Sequence, residues 1–231
     1  MKINKLIYKN HELSVNIKQR LKHSPATEIK TEKIEFDIED TDKNTFEGDG
    51  DYIDTKVDLF DALNNNWTVL IDFVDTGKIE WYNSLFILHN FYEGYNNELY
   101  GFNIQKTGEA QGGRLAFQVN DRFYPTKALT NGTHTRLVIR FTAPSTLEMF
   151  FNDPDLDDAL GCNSYYNFGQ VNFHDVNNCT LHLACWYNEN EGGVGRFWRG
   201  IINEFVVWDK ESLSNEEVLF ILNNSKEPEN E

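Results

Sequence analysis

Residues 67–75 read WTVLIDFVD, and their alternation decides the fold class. Trp67, Val69, Ile71 and Phe73 recur at every second position, which in a strand puts them on one face of a sheet. Most of the nine positions carry β-branched or aromatic side chains, the types that fit a pleated, half-buried surface. The same signature spreads outward in both directions. KIEFDIE (33–39) alternates Ile34, Phe36 and Ile38 with Glu35, Asp37 and Glu39, and Leu13, Val15 and Ile17 alternate further upstream. Downstream come SLFILHNF (84–91), LYGFNIQ (99–105) and RLAFQVND (114–121). HTRLVIRFTA (134–143) and TLEMFFND (146–153) form a pair joined by Ala143-Pro144-Ser145, and CTLHLACWY (179–187) and GIINEFVVWD (200–209) close the series. Turn residues separate most of these short runs, the pattern of an antiparallel sandwich. One helix is predicted, at the end. Ser214 and Glu217 have capping-box spacing, and Val218, Ile221 and Leu222 make an apolar stripe.

Composition narrows the class of protein. The 231 residues suit one large sandwich with a terminal extension. Net charge is −16, which argues against nucleic acid as a partner, because phosphate binding needs Lys and Arg. The charge is uneven: residues 1–33 carry eight Lys and Arg against three acids, so this arm is net +5 and the remainder −21. The expected organisation is a basic arm (1–33), a sandwich (34–223) and a polar tail (224–231). Cys162, Cys179 and Cys185 are odd in number and lack zinc spacing, so buried reduced thiols are expected. No apolar run of membrane-spanning length occurs, and MKINKLIYKNHELSV has no secretory apolar core, so no membrane insertion and synthesis in a cytosol are expected.

Four segments in order resemble the laminin G-like and pentraxin-like domains of the concanavalin A-like lectin/glucanase superfamily. FEGDGDYID (46–54) is similar to the family's opening strand, and WTVLIDFVD to its second. HTRLVIRFTAPSTLEMFFNDPD (134–155) is similar to the central hairpin, and FWRGIINEFVVWDKESLSNEEV (197–218) to the last strand and helical turn. Asn203 stands where the family has aspartate, and Asn152-Asp153-Pro154 replaces the asparagine-glycine hairpin end. The resemblance implies an all-β, two-sheet antiparallel jelly roll with a short C-terminal helix. It implies no single function, because the fold carries lectins, glycosidases and adhesion modules.

Three readings of chemistry follow. Many family members tie the opening acidic turn to the last strand with a structural Ca²⁺, which needs several convergent oxygens. Asp49, Asp51, Asp54, Asn203 and Glu204 are the candidate ligands here. Glycan binding needs aromatic faces flanked by amides. EWYNS (80–84), NFYEGYNNELY (90–100) and CWYNENEGG (185–193) have that composition. Their candidates are Trp81, Tyr82, Tyr92, Tyr95, Asn96, Trp186, Tyr187, Asn188 and Asn190. Hydrolysis would need a carboxylate pair, and Glu35 and Glu39 match the glucanase branch's spacing but precede the first family strand.

A binding or structural module without enzymatic activity is therefore expected. The missing secretion signal, the adhesion-type fold and the oppositely charged arm fit a displayed subunit of a bacteriophage virion: tail, baseplate, head decoration or fibre. Residues 1–33 would then contact other virion proteins or further copies of the chain in an assembly, and the sandwich would meet a host-surface glycan. A free carbohydrate-binding lectin is the alternative, and a glycoside hydrolase the third reading.

Overall fold

The computed structural model describes residues 6–8, 11–13, 33–36, 45–48, 50–58, 65–76, 82–93, 99–108, 112–119, 122–129, 131–152, 164–167, 180–188, 193–209 and 212–223. Val15, Ile17, Asp37, Ile38, Glu39 and the tail 224–231 lie outside them. The chain is an all-β sandwich of two antiparallel sheets with one short C-terminal helix.

The back sheet is built on β6 (Trp67–Asp75), which lies between β11 (His134–Thr142) and β17 (Arg199–Asp209). Beyond β11 come β12 (Thr146–Phe151) and β13 (Ser164–Asn167), and beyond β17 comes β3 (Lys33–Phe36). The front sheet runs β10 (Arg122–Ala128), β9 (Arg114–Val119), β8 (Leu99–Lys106), β7 (Asn83–Glu93), β14 (Thr180–Leu183), β5 (Ile53–Asp58), β1 (Leu6–Tyr8) and β2 (His11–Leu13). The described part of the basic arm is therefore a hairpin paired with β5, with Ile7 opposite Asp54.

The inward alternation builds the core. Trp67, Val69, Ile71 and Phe73 are all buried between the sheets, as their phase requires. Trp67 meets Phe102 edge-on across the gap at 5.1 Å, and Phe86 of the front sheet meets Phe205 of the back at 5.0 Å. Such aromatic pairs add about 0.5–1.5 kcal/mol each beyond their buried area. Yet β6 is buried on its other face too. Leu70, Val138, Phe150, Val206 and Trp208 point away from the core and are covered by Leu213, Val218 and Ile221. These last three belong to the helix α1 (Asn215–Asn223) and its lead-in. Ser214 and Glu217 close the expected capping box, with Glu217 N donating to Ser214 Oγ at 3.3 Å and Ser214 N to Glu217 Oε2 at 2.8 Å.

The opening stretch FEGDGDYID differs from a single strand. Thr45–Glu47 (β4) pairs with β17 in the back sheet, whereas Ile53 begins β5 in the front sheet. Gly48 and Gly50, at φ +82° and +124°, turn the chain between them. CTLHLACWY likewise breaks in two. Ala184 adopts φ +62°, ending β14 and starting the short β15 (Trp186–Asn188), which pairs with β16 (Gly193–Gly195).

Candidate functional site

Three segments are laced together where β7 begins, β14 turns into β15, and β16 leads into β17. Ser84 N donates to Arg196 O (2.7 Å), Ala184 N to Leu85 O (2.8 Å) and Trp198 N to Ala184 O (2.8 Å). Asn83 Nδ2 donates to Phe197 O. Ala184 and Arg196, at φ +62° and +50°, are the two non-glycine residues with positive φ among the described residues. Each left-handed residue costs about 1–2 kcal/mol. Both costs fall at one junction, where the surrounding hydrogen bonds hold them.

The junction delivers Arg196. Its guanidinium carbon sits 4.2 Å from the centroid of the Trp186 ring and 5.8 Å from that of Tyr82. Trp186 is buried, Tyr82 half-buried and Arg196 itself exposed. Arg196 Nη1 also donates to Gln105 Oε1 at 3.3 Å. Beside it, the Phe197 ring lies 6.3 Å from Tyr52, which in turn stacks on His182 at 6.4 Å. The Arg196 guanidinium thus lies over a buried indole and beside the half-buried Tyr82 ring.

The register supplies a polar floor. On β8, Asn103 and Gln105 alternate with the core residues Phe102 and Ile104, so they lie on the front sheet's outward face. Strand pairing aligns Asp54, His182, Ile87, Asn103 and Gln118 across five strands. All five are buried. Ser84 Oγ donates to Asn103 Oδ1, and Gln105 Nε2 to Gln118 Oε1 at 3.3 Å. His182 Nε2 and Asp54 Oδ2 lie 3.6 Å apart. Burial, and then the Asp54 charge, push the neighbouring Cys185 thiol well above its usual range. A thiol held protonated is a poor nucleophile.

Of the glycan candidates, the structure brings Tyr82 and Trp186 together around Arg196. Tyr92 lies on β7, and Tyr187 and Asn188 on β15. Trp81, Tyr95, Asn96 and Asn190 lie outside the described residues. Arg196, Gln105, Gln118, His182, Tyr52 and Phe197 were not anticipated. The available signal was an arginine between two glycines and an aromatic, Gly193-Val194-Gly195-Arg196-Phe197, in an otherwise acidic body.

The candidate calcium ligands separate. Asp51 Oδ2 accepts from Glu47 N at 3.1 Å, and Asp54 stands beside His182 on the front sheet. Asn203 and Glu204 sit on the outward face of the back sheet. There Asn203 Nδ2 donates to Asp72 Oδ1 (2.9 Å) and Glu204 Oε2 accepts from Arg136 Nη2 (3.1 Å). Although β4 does pair with β17, it does so at Arg199–Ile201, short of Asn203. The four described residues therefore do not converge as a calcium cage requires, and Asp49 lies outside the described residues. Among the described residues, no three His, Cys, Asp or Glu side chains are grouped to hold a metal ion.

Comparison with known proteins bears on the fold. No family model matches the chain, and no curated protein matches its sequence. Solved structures do. A K499G mutant of the NanB sialidase from Streptococcus pneumoniae superposes with a TM-score of 0.56 at 17% identity, over 77% of this chain and 27% of that one. The Ruminococcus gnavus IT-sialidase CBM40 bound to α2,3 sialyllactose gives 0.51 at 14% identity, over 68% and 82%. Domain 4 of AbnA, a GH43 extracellular arabinanase from Geobacillus stearothermophilus, in complex with arabinotriose, gives 0.50 at 15% identity, over 77% and 75%. These structures share the β-sandwich fold of this chain. The chain spans about a quarter of the NanB chain and corresponds to most of the two isolated domains.

Proposed function

We propose that this chain is a non-catalytic carbohydrate-binding module, and that Arg196 takes the carboxylate of an acidic sugar such as a sialic acid. The observation that carries the reading is the exposed Arg196 guanidinium held 4.2 Å over Trp186. A planar guanidinium matches a carboxylate's two oxygens, and the half-buried Tyr82 ring beside it suits the apolar face of a pyranose. The chain is strongly acidic, at −16, so an anionic ligand needs a local cation to overcome the long-range field. Neighbours of the same fold, one bound to sialyllactose and one to arabinotriose, support a sugar-binding role.

The hydrolase reading is less favoured. Glu35 lies on β3, at the end of the back sheet beyond β17, rather than on a central strand. The virion reading finds no support in the geometry or in the neighbours. Calorimetric titration with 3′-sialyllactose and with lactose tests the proposal. Preferential binding of the sialylated sugar, weakened at least tenfold by Arg196→Ala, is expected. Equal binding by wild type and Arg196→Ala would move the site elsewhere, and no sugar binding at all would overturn the reading.

A further inference from the structure

We propose that Gln105 is a positioning residue that fixes the plane of Arg196 through a two-amide relay ending at Gln118; this rests on the acidic-sugar reading above. The relay has one polarity only. A guanidinium has donors and no acceptor, so the Gln105 group facing Arg196 must be its oxygen. The Gln105 amide nitrogen is then turned toward Gln118, whose oxygen must receive it. The observed bonds follow this order, Arg196 Nη1 to Gln105 Oε1 and Gln105 Nε2 to Gln118 Oε1, each 3.3 Å. Flipping either amide would set donor against donor.

The sheet makes the relay rigid. Gln105 pairs with Ala116 and Asn103 with Gln118, so Gln105 and Gln118 are diagonal neighbours on one face, within reach of long side chains. Gln105 is 1% exposed and Gln118 9%, so solvent does not compete effectively for either amide. Arg196, by contrast, is exposed and long, and an arginine side chain ordinarily carries much rotamer freedom. Trp186 holds the guanidinium by one face, and Gln105 bonds Nη1 in the ring plane. That bond restrains in-plane rotation and bears on which edge meets a ligand. Loss of the relay should thus leave Arg196 present and charged but unaimed.

The test uses 3′-sialyllactose and its methyl ester, which differ in the carboxylate charge and one methyl group, titrated into the full chain. Wild type is expected to bind the acid more tightly than the ester. Gln105→Met should reduce that acid-to-ester ratio about fivefold to tenfold while leaving the Kd for the ester unchanged, and Gln118→Met should do the same to a smaller extent. A purely structural role would weaken both ligands together, and that result would overturn the inference. So would an unchanged ratio in a folded Gln105→Met. If Gln105→Met does not fold, Gln118→Met decides alone: its ratio must fall. Failure of the underlying reading looks different. Wild type would bind acid and ester alike, or neither, or Arg196→Ala would leave the ratio intact.

Discussion

Gly200→Ala should be among the most damaging single substitutions in the protein, through one methyl group. Gly200 opens β17 between two partners, opposite Phe46 on β4 and Asp75 on β6. Its φ is +154°, and a Cβ there would overlap the carbonyl oxygen of Val74, with Trp198 Nε1 at 2.8 Å and the Val74 carbonyl carbon at 3.3 Å. Neither neighbour can yield easily. Val74 is paired on both sides, with His134 and Ile201, and Trp198 is wholly buried, edge-on to Phe73 at 5.6 Å. Overpacking costs about 1–3 kcal/mol and a side chain in this backbone region about 1–3 kcal/mol more, so a loss of about 4 kcal/mol is expected. For a chain of this length that lowers Tm by about 8–16 °C. Gly50→Ala is the control. It also has a positive φ, +124°, but nothing stands within 4 Å of its added Cβ. Thermal unfolding followed by near-ultraviolet circular dichroism compares the two. If Gly200→Ala costs no more than Gly50→Ala, the close approach of β17 to Val74 is not a determinant of the fold. Because Trp198 N also ties the Arg196 turn to Ala184, a folded Gly200→Ala should bind its ligand less well than Gly50→Ala does.

Arg136→Met should cost about 3 kcal/mol in urea denaturation, because it removes the buried cation that joins the Asp72 and Glu204 carboxylates at 2.8 and 3.1 Å. The same change releases the bond from Arg136 Nε to Ile221 O, so amide exchange should rise across α1 more than across β6. Ser214→Ala removes the cap and should cost about 1 kcal/mol, read from the same denaturation curves. Cys185 gives a pH signature, measured with Cys162 and Cys179 replaced by Ser. Its folded pKa is raised, so below the unfolded thiol's value of about 8.5 both states are protonated and stability is level. Above it only the unfolded state ionises, so stability should fall as pH climbs toward the folded pKa. Cys185→Val should lack that fall; an identical slope in both would sink the assignment. A thiol reagent should modify Cys185 only at the rate of unfolding.

The back sheet was readable because its strands obey the rules that local patterns report. Residues 67–75 alternate cleanly, and His134–Thr142 and Thr146–Phe151 form the expected hairpin, with Thr142 opposite Thr146. What escaped reading was set by single backbone angles or by distant partners. The turn at Ala184 splits a run that looks continuous, and no pattern marks an alanine for the left-handed region. Strand β10 contains Pro125, which counts against a strand; it survives at the front sheet's outer edge, where its pairing with β9 shifts between Pro125 and Ala128. The acidic turn at Asp51 and the last strand do meet, as the resemblance implied. They meet two residues too early in β17 for Asn203 to take part, because β4 is short and the chain leaves at Gly48 for the other sheet.

The two outward faces of the sandwich explain why a site could be sought on one sheet and not the other. On the back sheet the outward positions are apolar at Leu70, Val138, Val206 and Trp208, and the chain supplies its own cover in α1. On the front sheet the outward positions of β8 and β9 are Asn103, Gln105, Ala116 and Gln118, amides with one small residue between them. In sequence both kinds of strand alternate. A polar alternating face reads the same whether it meets water or other parts of the chain, so Asn103 and Gln105 gave no warning. Burial separates the two cases: a solvated Gln105 would be worth little to Arg196, whereas one that is 1% exposed holds its acceptor against a single donor. Of the aromatic loop residues, Tyr82 and Trp186 lie beside Arg196. The group that would discriminate among sugars is a cation, and in a chain of net charge −16 its effect is local, confined to the few ångströms over Trp186 where the backbone at Arg196 delivers it.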